Sequence, residues 1–542
     1  MSDPLEIRLE AVRRYHQRTK HCLDGFAAGP GRLDWATQPE PFRWFEGAPS
    51  VELPLVADGL GTAYVDLYRK EQVAPQPLSL ESIAALFELS LGLSAWKQSG
   101  DTRWPLRCNP SSGNLHPTEG YAVVPNVGPL SAGVYHYLSR DHLLEQRCVF
   151  GNSALPPHTL LIGLSSIHWR EAWKYGERAY RYCQLDCGHA MAAIRYAAAV
   201  LGWSVRLLDH WDDESISQIL GLDRKQDFAE AEQEHPDLML LVETMSSTTA
   251  MPLPDELLKA AEESAWQGQA NPLSPYHSNE WPEIDLVAEA CLKPQTTPAR
   301  WVPSLLPAPQ QSDCRLAAAT LIRQRRSAQA FDGETAITAS QLYRMLDVTL
   351  PRPATPPWDL LSWLPRIHLL LFVHRVDGLP PGLYLFMRRD EVEMPLQSAL
   401  ANDAFEWGVV DGCPNHLKLY QLLHTDAREL AEQLSCRQAI AADSAFSLGM
   451  LAEFEGSLES GPWGYRQLYW EAGMLGQLLY LEAEAAGVSG TGIGCYFDDA
   501  LHASLGIEGT QFQSLYHFTV GGALQDQRLI TLPPYAHLGT EL

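Results

Sequence analysis

Two stretches decide the fold when one is set above the other. Residues 176–204 read GERAYRYCQLDCGHAMAAIRYAAAVLGWS, and residues 461–489 read GPWGYRQLYWEAGMLGQLLYLEAEAAGVS. The alignment is ungapped at an offset of 285 (461 − 176) and continues to Leu222 and Ile507. Gly176 falls on Gly461, Tyr180 on Tyr465, Arg181 on Arg466 and Gly188 on Gly473. Farther along, Gly202 falls on Gly487, Ser204 on Ser489, Asp213 on Asp498 and Leu220-Gly221 on Leu505-Gly506. Asp186 meets Glu471, a match in charge.

Upstream a second block repeats. Leu130-Ser-Ala-Gly-Val-Tyr-His-Tyr lies over Leu379-Pro-Pro-Gly-Leu-Tyr-Leu-Phe, and Arg140-Asp141 over Arg389-Asp390, at an offset of 249 (379 − 130). Two blocks in the same order imply a duplicated unit with an insertion between them in the second copy. Each copy reads as an apolar strand (Tyr121-Ala-Val-Val; His368-Leu-Leu-Leu-Phe-Val), then the G-[VL]-Y-x-[YF] strand. Another apolar strand follows (Leu160-Leu-Ile-Gly-Leu; Ala445-Phe-Ser-Leu-Gly-Met-Leu). A long helix then begins near Asp186 or Glu471 and ends near Gly202 or Gly487, glycine being suited to a helix C-terminus. A last strand (Leu238-Met-Leu-Leu-Val-Glu; Tyr516-His-Phe-Thr-Val-Gly) closes each copy. The fold class is α+β, a mixed or antiparallel sheet flanked by helices, built twice. The expected division is an N-terminal extension over 1–75, a first domain over 76–250, a Pro-, Ser-, Asn- and Gln-rich linker over 251–310, and a second domain over 311–542.

Bulk composition narrows the partners. The 542 residues are 46% hydrophobic and 20% charged, ordinary for a globular chain of several domains. Forty basic against 66 acidic side chains give a formal charge of −26, which repels nucleic acid and anionic lipid, so neither is expected as a partner. Ten cysteines are scattered without C-x-x-C pairs or zinc spacing, so no metal site is expected and the cysteines read as free thiols in a reducing cytosol. The charged, amphipathic N-terminus lacks a signal-peptide core, and no segment reaches the length of apolar sequence that a membrane helix needs. A cytoplasmic location is the expectation.

Four local signals carry chemistry. Arg107-Cys-Asn-Pro-Ser-Ser-Gly-Asn-Leu-His-Pro places Pro110, Ser111, Ser112, Gly113 and Asn114 in a tight loop whose hydroxyls, amide and backbone N–H groups suit a polar or anionic ligand. An ordinary turn has the same composition. Arg325-Arg326-Ser327-Ala-Gln329 sets two guanidinium groups side by side in an acidic chain, either for a phosphate or as a solvated helix end. Gly490-Thr491-Gly492-Ile493-Gly494 reads as a glycine-rich loop that lets backbone approach a flat ligand, without the strand-then-helix context of a Rossmann fingerprint. Gly521-Gly522…Arg528 offers another phosphate contact. His116 lies in the polar loop; His189, Trp169, Trp173 and Trp203 read as core.

Taken together, these pieces resemble the nitroreductase-like flavoproteins, and more closely the SagB/ThcOx-type dehydrogenases in tandem-fused form. The motifs are Pro110-Ser-Ser-Gly-Asn-Leu-His-Pro-Thr-Glu119, Gly133-Val-Tyr135, Lys174-Tyr175-Gly176-Glu-Arg178-Ala-Tyr-Arg181, Leu185-Asp186-Cys-Gly188-His189, Arg325-Arg-Ser327, Cys436-Arg-Gln438 and Tyr516-His-Phe-Thr-Val-Gly521-Gly522. They span roughly residues 75–542. The resemblance implies FMN bound across a dimer-like seam. Arg325, Arg326, Ser327, Gln329, Gln438, Thr491, Gly492, Ile493, Gly494 and Arg528 would come from the second half, and Pro110, Ser111, Ser112 and Asn114 from the first. Gln329 departs from the family, which often has a basic residue there. The reciprocal site reads as broken. Pro353-Ala-Thr-Pro-Pro357 stands for the P-S-S-x-N loop, Arg18-Thr-Lys-His21 for R-x-S, and Val205-Arg-Leu-Leu-Asp209 for the glycines. One FMN per chain is expected.

In azoline dehydrogenases of this type a Lys-Tyr pair is implicated in catalysis, which marks Lys174 and Tyr175; the second copy has Glu459 and Ser460 there. Removing a substrate proton as a hydride leaves requires a base within hydrogen-bond reach, and a lysine of lowered pKa or a tyrosine can serve. The first functional expectation is an FMN-dependent dehydrogenase acting on a small organic or peptide-derived substrate. The alternatives are an NAD(P)H-dependent nitro- or quinone reductase and a non-catalytic flavin-binding scaffold. The chain would be a monomeric pseudo-dimer or assemble further as a homo-oligomer.

Overall fold

The computed structural model describes residues 3–69, 72–151, 155–156, 158–245, 254–299 and 301–539. Its frame is two seven-stranded sheets of one design. Edge to edge, the first runs Ser50–Glu52, Leu143–Val149, Gly133–Leu138, Thr118–Val124, Thr159–Ser166, His235–Glu243 and Ser204–Leu207. The second runs Gly408–Val409, Lys418–His424, Gly382–Met387, Ile367–Val373, Phe446–Glu453, Phe512–Gly521 and Ser489–Ile493. Strand for strand the order is the same, and the neighbours pair antiparallel. The central strand Ile367–Val373 is apolar without alternation because both faces are covered. Leu369 and Leu371 point into one core, Leu370 and Phe372 into another.

The seam between the halves is a pair of long helices, Ala179–Val200 and Gly464–Ala485, each of 22 residues and 285 apart at both ends (464 − 179; 485 − 200). They cross at the equivalent glycines. A Cβ on Gly188 would collide with Trp470 O, and one on Gly473 would collide with Leu185 O and lie 2.9 Å from Gly188 Cα. Only glycine allows backbones this close. Equivalent ion pairs flank the crossing: Arg181 Nη1 lies 3.0 Å from Asp498 Oδ1, and Arg466 Nη2 lies 2.7 Å from Asp213 Oδ2, all four side chains buried. Removing one partner of such a pair leaves an uncompensated buried charge, at a cost of about 3–5 kcal/mol.

Several expectations are corrected. The long helices begin seven residues before Asp186 and Glu471 (186 − 179; 471 − 464). Their first turns mix core residues (Ala179, Tyr180 and Tyr182; Tyr465) with the buried arginines Arg181 and Arg466, which interrupts the apolar pattern. Gly490–Ile493 is not a loop but lies in the edge strand Ser489–Ile493. Residues 3–69 do not stand apart: Ser50–Glu52 is an edge strand of the first sheet, and Phe45–Glu46 pairs with Gln269–Ala270 from the expected linker. That linker also carries helices Pro254–Glu262 and Pro282–Ala290; the expected boundary at 250/251 lies outside the described residues. The counterpart of the helix Ala318–Gln324, which precedes Arg325, is the turn Tyr64–Tyr68 and not Arg18–His21. Tyr64 N donates to Leu316 O (3.1 Å) while Ala318 N donates to Thr62 O (2.8 Å), a reciprocal pair across the dyad. Finally, Cys436 and Cys495 form a disulfide with a Cα–Cα distance of 5.8 Å, against the expectation of free thiols throughout. Their separation of 59 residues hides a proximity that the fold creates. The other eight cysteines are free.

The inserted chain of the second half falls between Met387 and Phe446. The strand offset rises from 249 (382 − 133) to 275 (418 − 143) and then 287 (446 − 159) across it. The insertion carries helices Glu393–Ala399, Arg428–Leu434 and Ala439–Asp443. After the last sheet strand the chain returns to the first half, where Ile530–Leu532 pairs with Leu93–Ser99 and Tyr535 Oη accepts from Leu93 N at 2.9 Å. Among the described residues no helix is long and apolar enough to cross a membrane, and no cluster of three or more His, Cys, Asp or Glu could hold a metal ion.

Candidate active site

The two halves enclose one crevice along the seam, made of an inner cavity of about 400 Å³ and an outer cavity of about 640 Å³. Pro110 and Ser111 of the first half and Ser327, Ala328 and Gln329 of the second line both, so the cavities are continuous. The serine loop and the arginine segment thus face each other.

The loop is held by its own polar groups. Ser111 Oγ accepts from His116 N (2.8 Å), and Asn114 Nδ2 donates to Pro105 O (2.8 Å). Gly113, Asn114 and His116 have φ of 61°, 61° and 53°. Such left-handed conformations cost free energy for non-glycine residues and persist where the surroundings over-determine them, often at binding sites. Ser112 lines the inner cavity; Asn114 and His116 line the outer one.

On the opposite wall, Ser327 pairs in bridge fashion with Gly490, and Ala328 N donates to Gly490 O (3.1 Å), docking the arginine segment on the glycine-rich edge strand. Thr491 Oγ1 donates to Ala328 O (2.5 Å), and Ser327 Oγ lies 2.8 Å from Tyr480 Oη. The glycines there make room for protein. The Cβ position of Gly492 is occupied by Tyr516 Oη, and that of Gly494 by the Tyr182 ring. Thr491, Gly492, Ile493 and Gly494 all line the inner cavity, as does Gln438, whose Nε2 donates to Ser435 O (2.8 Å) and Cys495 O (3.2 Å).

The outer cavity is cationic. Arg325, Arg326 and Lys97 line it together with Arg107. Arg325 is buried over the Tyr480 ring (4.9 Å) and donates to Arg107 O (3.0 Å), while its Nε has no partner. Arg326 donates to Ser94 O (2.9 Å); burial, and then its neighbour Arg325, pulls its pKa down to about 10. Burial likewise lowers Arg107 to about 10 and also lowers Lys97. Cations crowded in this way favour an anion between them.

The inner cavity carries two buried carboxyls. Asp186 lines it and accepts from Ser112 N (3.1 Å) and Ser112 Oγ (3.2 Å). Burial raises its pKa to about 7, against the hydrogen bonds from Ser111 and Ser112. Behind it Glu171 is fully buried with no basic side chain in ion-pairing distance; burial, and then Asp186, push its pKa well up. Tyr175 lines the cavity too, and Lys174 stands beside it. A Cβ on Gly113 would lie 2.5 Å from Tyr175 Oη and 3.0 Å from Lys174 Nζ. Burial raises the Tyr175 pKa well above that of a free phenol, so its hydroxyl is a proton donor at neutral pH. His189 lines the inner cavity with Nε2 3.2 Å from Tyr516 Oη, and burial lowers its pKa to about 3, keeping it neutral.

The structure does not bring Arg528 into the crevice. Its side chain is 86% exposed and pairs with Asp526 (2.7 Å), two residues away. Trp169, Trp173 and Trp203 hold loops through their ring N–H groups, to Ser274, Asp34 and Thr37, and Gln76 respectively. Sequence reasoning missed Lys97, Glu171, Tyr182, Asp186, Tyr480 and Tyr516 as members of the site. Asp186 was visible in the Leu185-Asp186-Cys-Gly188-His189 motif and in its alignment with Glu471, neither of which assigned it a place in the site.

The fold is built twice in this order, with a polar crevice between the copies. Residues 72–229 match the model of the Nitroreductase family. The whole architecture is similar to a solved structure from Anabaena variabilis described as a nitroreductase, with 23% identity, a TM-score of 0.69, and coverage of 95% of this chain and 99% of that one. At this identity the likeness is one of fold. Partial similarities extend to the E. coli microcin synthetase complex McbBCD (18% identity, TM-score 0.27, 45% of this chain, 95% of that one). They extend also to an FMN complex from Exiguobacterium sibiricum (12% identity, TM-score 0.22, 40% of this chain, 92% of that one). No curated protein matches the sequence.

Proposed function

We propose that the chain is an FMN-dependent oxidoreductase that holds one FMN in this crevice and exchanges a hydride with a small organic or peptide-derived substrate. The observation that carries the reading is the meeting of the serine loop of one half with the arginine segment of the other in one continuous crevice. The donor set suits the group. Arg325, with its unpartnered Nε, Arg326 and Lys97 would hold the phosphate, and Ser111, Ser327, Gln329 and Asn114 would meet the polar chain. The glycine-bearing edge strand, Gln438 and Pro110-Ser-Ser112 would flank the flat ring system. The working unit is the pair of halves, expected at 76–250 and 311–542, and not either alone. FMN, when bound, supplies a two-electron acceptor or donor.

The chain's own residues orient and protonate. Tyr175 presents a protonated phenol to the inner cavity, and Lys174 beside it adds a positive charge that favours a substrate carbonyl, imine or ring nitrogen. The tyrosines Tyr182, Tyr480 and Tyr516 close the cavity with apolar faces and exclude water. The dehydrogenase reading is favoured over an NAD(P)H-driven reductase by Tyr175 at the wall of the inner cavity, with Lys174 beside it.

The test is an absorption spectrum with flavin quantitation after incubation with FMN. About one flavin per chain is expected, falling sharply in Arg325→Ala/Arg326→Ala. Two flavins per chain, or none, would overturn the proposal. Rapid bleaching by NADH or NADPH would replace the dehydrogenase with the reductase.

A further inference from the structure

The two carboxyls at the inner end of the crevice have no basic partner, unlike the buried carboxyls that pair with arginine along the seam. Asp186 is buried, faces the cavity, and takes hydrogen bonds only from the serine loop. Glu171, one helix away, is buried with no basic side chain in ion-pairing distance and only Ser111 to hydrogen-bond it. Two neighbouring carboxyls out of water cannot both ionise, so they retain at least one proton between them. The groups facing Asp186 do not supply a counter-charge. Cys183 and Cys187 flank it on its own helix, Glu171 and Tyr175 face it from the helix His168–Tyr175, and Tyr516 faces it from the second half. Lys174 acts on Glu171 rather than directly on Asp186.

We propose that Asp186, backed by Glu171, is the catalytic acid–base group that exchanges a proton with the substrate in the inner cavity, while Lys174 and Tyr175 orient it. The assignment rests on the FMN-dependent reading above. In the oxidising direction the substrate loses a hydride, carrying two electrons and one proton, to the flavin, and its remaining proton passes to an Asp186 carboxylate oxygen. The substrate is oxidised, the flavin reduced, and the carboxylate becomes a carboxylic acid. Reduction runs the same transfers backwards. A carboxyl that titrates near neutral pH serves both directions. Burial sets Asp186 near that balance point against the hydrogen bonds of the serine loop, and Glu171, which does not line the cavity, is a positioning residue that stays protonated behind it.

The test uses the FMN-loaded full chain and two readouts. Infrared spectra over pH 5–9 should show a carboxylic acid band that disappears with a midpoint near pH 7. Asp186→Asn should abolish it, and Glu171→Gln should leave the midpoint in place, because Glu171 already carries its proton across this range. Anaerobic reduction with dithionite, followed with a pH-indicator dye near pH 7.5, should take up more protons per flavin in the wild type than in Asp186→Asn, by a difference approaching one proton. The Asn variant keeps the size and an acceptor atom for the Ser112 bonds, and proton uptake is counted per flavin bound in each protein. An infrared titration identical in wild type and Asp186→Asn, or equal proton uptake, would overturn the proposal. A protein that binds no FMN would overturn the functional reading instead, and its infrared titration would still decide whether Asp186 holds the proton.

Discussion

Asp186 and Glu471 occupy the same place in the two halves, and their surroundings differ entirely. Glu471 is fully buried, accepts from Arg366 N (2.9 Å) and Ile367 N (3.2 Å), and is ion-paired with Arg388. Arg388 in turn lies 4.4 Å over the ring of Trp358, which is wholly buried. At the offset of 249 the serine loop 110–114 falls on 359–363 (110 + 249; 114 + 249), just after Trp358. Arg195, the counterpart of Tyr480 (480 − 285), is locked in two 2.8 Å bonds to Asp359. In this copy the carboxyl is paired with Arg388, and Arg195 is paired with Asp359. At the offset of 249, Arg388 corresponds to Ser139 (388 − 249), so the first half supplies no cation to its carboxyl. Glu171 likewise faces Gly456 in the alignment (171 + 285). One copy has spent its polar groups on one another; its twin leaves them turned to the crevice.

The largest effect should come from breaking the filled copy. Arg388→Met would leave Glu471 buried without its cation, and a buried pair broken on one side costs about 3–5 kcal/mol. Urea unfolding should show that loss with flavin content per folded chain unchanged. A variant as stable as the wild type would mean that Glu471 simply takes a proton in compensation.

The same position in the open copy should respond in the opposite sense. Asp186 has a folded-state pKa near 7, above the ordinary 3.8, so the folded chain binds more protons than the unfolded one between those values. Stability from this group is complete below about pH 4 and is lost as pH rises towards 7. Three pKa units correspond to at most about 4 kcal/mol. Asp186→Asn should therefore be more stable than the wild type at pH 8, and the difference should shrink as pH falls to 5. Unfolding free energies at the two pH values check it; a variant less stable at pH 8 would place Asp186 among the structural carboxyls with Glu471.

Next in size is ligand binding. Arg325→Ala removes one buried charged donor from the anionic end of the crevice, worth about 1.5–3 kcal/mol, or roughly a 10- to 150-fold weaker Kd for FMN. Asp359→Ala, in the filled copy, should leave that Kd within about twofold of wild type while costing stability by freeing Arg195. Fluorescence titration of FMN against each variant separates the two copies.

How far the sequence carried this reading depends on what kind of information each element needs. The duplication was legible because the seam imposes the same demands twice. Gly188 and Gly473 must lack a Cβ, and Arg181 and Arg466 must each reach an aspartate, Asp498 or Asp213, across the dyad. The serine loop and the arginine segment were legible as motifs. The roles of the glycines were not, because Gly492 and Gly494 answer to Tyr516 and Tyr182, residues distant in sequence whose side chains fill the space a Cβ would take. The role of Asp186 was hidden by its match to Glu471. A pattern preserves the carboxyl, and only the third dimension shows that one copy has an arginine against it and the other a pair of serine donors. Gln438 was legible through its Cys436-Arg-Gln438 motif, whereas the Cys436–Cys495 link was not, because Cys436 lies in the inserted chain of the second half, for which the first half offers no template.

The smallest expected effect falls on the residue that the motif suggested and the structure sets aside. Arg528 follows the last sheet strand, as a phosphate-binding residue of the second half would, yet its guanidinium points to solvent and is satisfied by Asp526. An exposed pair of this kind contributes about 0–1 kcal/mol and is screened by salt. Arg528→Ala should therefore leave FMN affinity within about twofold of wild type, whereas Lys97→Ala, on a strand that the returning C-terminal segment pairs with at the cavity wall, should weaken it by about tenfold. The reverse ranking would show that the segment 523–529 folds over the ligand, carrying Arg528 inward, and that the phosphate end of the crevice is completed only when it is occupied.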